Sequence, residues 1–150
     1  MAVGPDALGI HHRQQLNPVL TEALLQLTTG SAQVLYNGGL AHLHLRYHDA
    51  GERRPGLPPD VAALVTDIRP DHAVAELVNL GDAARSVVVQ AGSFAEHVVH
   101  TVCADDGPAH QVDGPYCRVE LPGRTRVRLT LTVPLRAGRP AYNSPWQEGR

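Results

Sequence analysis

YCRVELPGRTRVRLTLTV, Tyr116 to Val133, is the stretch that decides the fold. Cys117, Val119, Leu121, Thr125, Val127, Leu129, Leu131 and Val133 fall on one side of a two-residue period. Tyr116, Arg118, Glu120, Arg124, Arg126, Arg128, Thr130 and Thr132 fall on the other. Successive side chains of a strand leave on opposite faces, so this pattern describes strands with one face in a core and one in water. Pro122-Gly123 interrupts the run, and the reading predicts a half-buried antiparallel hairpin with arms 116–121 and 124–133.

Upstream, apolar and β-branched runs bounded by turn residues place further strands at 33–36, 40–48, 61–68, 73–79, 85–90 and 97–103. Asn37-Gly38-Gly39 joins the first two as a tight turn, and Ala91-Gly92-Ser93 joins the last two. Residues 61–68 also suit a short helix capped by Asp60, but Arg69-Pro70-Asp71-His72 reads as a turn between strands, which favours a strand. One helix is expected at 17–28: Asn17 is a good N-cap, Pro18 suits the first helical position, and Leu20, Ala23, Leu24 and Leu27 recur at helical spacing before Thr28-Thr29-Gly30. The fold class is therefore mainly β, an antiparallel β-sandwich or open barrel of seven to eight strands with one N-terminal α-helix. Residues 1–16 are expected to be a mobile leader, 17–146 a single domain, and 147–150 a disordered tail. The only tryptophan, Trp146, is expected to dock on the body.

Composition narrows the function classes. The chain has 150 residues, is 43% hydrophobic and 4% aromatic, and carries a formal net charge of −2. A core of Val, Leu and Ala is implied. The charge balance gives no support to a nucleic-acid or anionic-membrane partner. No apolar run has the length of a membrane span, and the start lacks the pattern of a secretory signal. Cys103 and Cys117 do not make a disulfide framework, so both are expected reduced, in the cytoplasm. No nucleotide, phosphate-loop or serine-elbow motif is present, and no cofactor is expected.

The chemistry-bearing residues cluster in two places. In HLHLRYH, the two-residue period puts His42, His44, Arg46 and His48 on one face and Leu43, Leu45 and Tyr47 on the other. Such a face can ligate a metal, move protons or hold an anion, or it is a plain solvated strand. Gly39-x-x-His42-x-His44-x-x-x-His48 loosely resembles the first metal motif of cupin barrels, with His48 where a Glu is usual and a glycine spacing that is too short. Gly107-Pro108-Ala109-His110 is the one stretch that resembles the second motif. If any metal site exists, His42, His44 and His48 would hold it, although none is favoured. Glu96-His97-x-x-His100 offers a carboxylate–imidazole pair, and His42, His44, Glu96 and His97 are the candidate acid–base residues. Arg46, Tyr47, His48 and His100 are the candidate ligand contacts. Arg118, Arg124, Arg126 and Arg128, with Glu120 among them, read as a solvated sheet face rather than an anion site. For chemistry on the histidine strand another element must cover it, and the loop 49–60 is the nearest in sequence.

LTTGSAQVLYNGG (27–39), RRPGLPPDVAALV (53–65), ELVNL (76–80), VVVQAGSFAEH (87–97) and the closing Pro140-Ala141-Tyr142 and Pro145-Trp146 carry a resemblance. From Leu24 to Trp146 the chain resembles the C-terminal β-sandwich of large uncharacterised bacterial proteins whose bodies are similar to six-hairpin, (α/α)-barrel glycosidases. The resemblance implies a free-standing accessory or binding domain of carbohydrate-enzyme ancestry, with no catalytic motif in the matching stretch. Sugar-binding faces usually offer aromatic platforms, which are scarce here. The first alternative is a small bacterial metabolic enzyme, a cyclase, isomerase or lyase, using His and Glu as acid and base. The second is a cupin-like metal protein. A helix whose leucine stripe has lost its helical-barrel neighbours further implies a homo-oligomer through that helix. A sugar or other small molecule is the expected ligand class.

Overall fold

The computed structural model of the protein describes residues 21–31, 43–134, 140–141 and 143–147. The helix α1 spans Thr21–Thr29. It ends as expected, with the Gly30 amide donating to the Gln26 carbonyl at 2.9 Å. Positions 17–20 and the predicted turn at 37–39 lie outside the described residues, as do the leader 1–16 and His42.

Strands follow at β1 Leu45–Asp49, β2 Arg54–Pro55, β3 Val61–Ile68, β4 His72–Asn79 and β5 Arg85–Ala91. Then come β6 Val99–Ala104, β7 Ala109–Gly114, β8 Tyr116–Leu121 and β9 Arg126–Thr132. All pair antiparallel, in a four-stranded sheet of order β2-β1-β5-β8 and a five-stranded sheet of order β3-β4-β9-β6-β7. The architecture is a sandwich. Residues 61–68 are a strand, as the flanking turn signal predicted.

The core lies between the sheets. Leu45, Tyr47, Val87, Val89, Ala91 and Leu121 face it from the four-stranded sheet. Val61, Ala63, Ala75, Leu77, Val99, Leu129 and Leu131 face it from the five-stranded one. A fully buried Leu or Val side chain stabilises by roughly 1.5–3 kcal/mol relative to leaving it exposed. The alternating register of each strand is thus held by its apolar side.

The decisive stretch needs a correction. Its alternation is observed, with Cys117, Leu121, Leu129, Leu131 and Val133 buried and Arg118, Glu120, Arg126 and Arg128 exposed. Its two arms are not a hairpin, however: β8 pairs with β5 and β9 pairs with β4 and β6. Pro122-Gly123 carries the chain from one sheet to the other. Period-two patterning reports which face is buried, and it is the same whether the next strand is a neighbour or lies across the core.

That crossing is clamped. Asn79, almost fully buried, donates through Nδ2 to the carbonyls of Ala83, Leu121 and Pro122 at 2.9–3.1 Å. Its Oδ1 accepts from the Gly81 amide at 3.0 Å. One amide side chain therefore ties together two of the sheet-to-sheet connections, 80–84 and 122–125.

One further expectation changes. The arm predicted at 97–103 begins at Val99, leaving His97 in the preceding turn. At the C-terminal end the Gln147 amide donates to the Ser144 carbonyl at 2.9 Å, and the rest of the predicted tail lies outside the described residues.

Candidate functional site

Strand β1 places Arg46 and His48 on the outer face of the four-stranded sheet, where β5 sets Gln90 opposite Arg46 and Val88 opposite His48. An outer face should be wet, yet His48, Val88 and Gln90 are all buried. The cover is the C-terminal segment. The Ala141 amide donates to the Phe94 carbonyl at 2.7 Å, and the Tyr116 hydroxyl donates to the Asn143 carbonyl at 3.1 Å. Trp146 meets His48 edge to face, with ring centres 6.4 Å apart. The expected docking of the only tryptophan is observed.

Between this cover and the sheet lies a cleft of about 360 Å³. Arg46, His48 and Gln90 form its floor, Ser93 and Phe94 one wall, and Arg53 and Pro55 the other, with Asn143, Ser144 and Trp146 above. This volume is at the small end of the range for small-molecule sites, roughly 300–1,000 Å³. The loop 49–60 contributes a wall rather than the main cover. Its turn is built on Asp49, whose Oδ1 accepts from the amides of Gly51 at 3.0 Å and Glu52 at 3.2 Å while Oδ2 faces Arg54 at 3.3 Å.

The floor is pre-positioned by hydrogen bonds. Gln90 Nε2 donates to the carbonyls of Gly92 at 2.9 Å and Ser93 at 3.1 Å, which fixes which end of the amide is oxygen. Its Oε1 lies 2.8 Å from His48 Nε2, so that ring nitrogen carries the hydrogen and Nδ1 is left as an acceptor. Burial lowers the pKa of His48; the Gln90 hydrogen bond opposes that shift and the Arg46 charge adds to it. Near neutral pH the ring is therefore an uncharged, oriented group.

The turn beneath Gln90 is equally constrained. Glu96 accepts from the amides of Ser93 at 3.2 Å and Phe94 at 2.7 Å. Gly92 has φ +88°, a conformation that strains any other residue, and a Cβ there would lie 2.4 Å from the Glu96 carboxylate and displace it from the turn.

The other predicted residues are dispersed. His44 lines a narrow crevice with His72 and His97, away from His48. Of the predicted histidine face, His42 lies outside the described residues, and His44 and His48 line different spaces. The Glu96 carboxylate holds the turn, while the His97 imidazole is buried and lines the crevice. His100 is exposed on β6, with Nδ1 3.2 Å from Asp113. Tyr47 turns to the other side of β1, as predicted, where it lines an apolar cleft of about 820 Å³ with Leu24, Leu25, Leu57 and Val61. His110 is on edge strand β7 of the five-stranded sheet, not beside β1. Among the described residues no three His, Cys, Asp or Glu side chains gather as a metal site would require.

The basic series 118–128 is divided between the sheets. Arg118 meets Glu120 at 2.8 Å, Arg126 meets Glu76 at 2.6 Å, and Arg124 pairs with Asp82. Sequence reading missed Arg53, Gln90, Phe94 and Asn143. Gln90 had a usable signal, being the one polar side chain in the buried run VVVQA, since a buried polar group there implies specific partners. The others had none, because loops and the C-terminal segment assemble them from distant parts of the chain.

Comparison with protein-family models, curated proteins and solved structures finds no match to this chain.

Proposed function

We propose that this chain is a ligand-binding β-sandwich module, an accessory domain of carbohydrate-enzyme ancestry, that takes a sugar in the cleft floored by Arg46, His48 and Gln90. The observation that carries this reading is the lining itself. Two polar side chains, Arg46 and a His48 ring oriented by Gln90, line the same cleft as the single tryptophan. An apolar ring surface beside a few fixed polar groups is what a sugar, with its C–H face and hydroxyl rim, requires. The scarcity of aromatics weighs less once the one tryptophan is in the cleft. The acid–base reading has less support, because Glu96 and His97 line no common space with His48.

We further propose that α1 mediates self-association, since Leu24 and Leu27 are exposed beside the apolar cleft. Cytoplasmic residence is supported by Cys103 and Cys117, which are free thiols in different sheets. Among the described residues no helix is long and apolar enough to cross a membrane.

Trp146 makes the ligand reading directly testable, because its emission reports the cleft and nothing else in the chain. Titration with glucose, galactose and N-acetylglucosamine should give a saturable change in emission with at least one of them. Calorimetry should show that binding abolished by Gln90→Ala. A sugar that binds with no change in Trp146 emission, or none binding at all, sinks the assignment.

A further inference from the structure

The charge in the cleft points to a narrower ligand class. Arg54, Arg69, Arg85, Arg118, Arg124 and Arg126 each have a carboxylate within ion-pairing distance. Arg46 and Arg53 have none among the described residues, and both line the cleft. Arg46 reaches only an uncharged carbonyl, that of Ser93, at a long 3.4 Å. No Asp or Glu stands among the described lining residues. Outside the cleft, six of the seven described arginines have a carboxylate within ion-pairing distance, Arg128 being the exception, so two unpaired arginines lining one partly enclosed space are a local departure from that pattern.

Resting on the reading of this cleft as a sugar site, we infer that its ligand is a sugar bearing an acid group, with Arg46 and Arg53 as the residues that select it. A guanidinium presents a planar fork of N–H donors that matches a carboxylate or phosphate edge with two parallel hydrogen bonds. The reduced dielectric of a cleft strengthens that attraction relative to an open surface. His48 Nδ1 and Trp146 would then serve the ring, its hydroxyls and its C–H face, while the arginines hold the acid. The shared chemistry is an anion on a sugar ring, supplied by a uronic acid or by a sugar phosphate.

The test compares glucuronate, galacturonate and glucose 6-phosphate with glucose and galactose, by calorimetry and by Trp146 emission at low ionic strength. The acid sugars should bind about tenfold or more tightly than their neutral parents, because charge-assisted hydrogen bonds are roughly twice as strong as neutral ones. That advantage should shrink as sodium chloride rises to about 0.15 M and beyond. The double variant Arg46→Met, Arg53→Met should lose the preference, the acid sugar and its neutral parent then binding alike. The uronates and the phosphate, compared with each other, identify the acid. If neutral sugars bind as well as acid sugars, the charge assignment is wrong and the sugar site stands. If the preference survives in the double variant, the anion is held elsewhere. If no sugar of either kind alters Trp146 emission, the sugar site itself fails, and this inference with it.

Discussion

His48 shows how a side chain's neighbours set its chemistry. Placed on the outward face of a strand, it would ordinarily titrate near pH 6.5 in water. Here Trp146 closes over the ring and Gln90 takes its Nε2–H. Burial, the leading cause, lowers the pKa, with Arg46 adding to the shift. The sign of the linkage follows. As pH falls below the ordinary histidine value, the unfolded chain takes up a proton that the folded chain resists. The stability contributed by this group is therefore present above that value and lost as pH falls through the folded pKa. An NMR titration of the His48 ring should give a midpoint below about 6.5. Urea unfolding between about pH 8 and pH 5 should show His48→Gln losing less stability than the parent chain, because glutamine keeps a donor and does not titrate. Parallel pH profiles for the two would contradict the burial argument. The polar character of His48 was legible in HLHLRYH; its burial was not, since the covering residue lies near the far end of the chain.

At the scale of elements, each strand carries its own amphipathic pattern but not the name of its partner. The inward residues of β8 and β9 were read correctly, and their pairing was not. The connection between them is specified by close packing. A Cβ on Gly123 would lie 2.0 Å from the Asp82 carbonyl oxygen, because the 80–84 and 122–125 connections cross the same end of the sandwich in contact. Gly123→Ala should therefore destabilise the fold by about 1–3 kcal/mol, the usual penalty for overpacking, measured as a lowered urea midpoint with little change in slope. A midpoint equal to the parent's would mean that the two connections part easily. A tight two-residue hairpin at 122–123 would make no such demand on Asp82. The comparison thus tests the topology as well as the residue.

For the whole molecule, two sheets and a covering segment account for the candidate site, while α1 keeps two leucines largely exposed. It packs beside β3 and leaves Leu24 and Leu27 63% and 54% exposed. Leucines at this spacing make an apolar stripe that normally faces a partner. Light scattering should give a concentration-dependent mass above the 16.1 kDa of one chain. The pair Leu24→Ser, Leu27→Ser should return it toward the monomer. A strictly monomeric parent chain would end the proposal of self-association.

The sequence alone determined the β class, the end of the helix, the strand at 61–68 and the inward side of most strands. These depend on local periodicity and turn chemistry, which are written within a few residues of where they act. Only the tertiary structure decided that 116–121 and 126–132 belong to different sheets, that Glu96 holds a turn, and that Arg46, Arg53, His48, Gln90 and Trp146 share one cleft. Pairing and covering are choices among chemically similar partners far apart in the chain. They are settled by how all the apolar faces are buried at once, and no local pattern records that outcome.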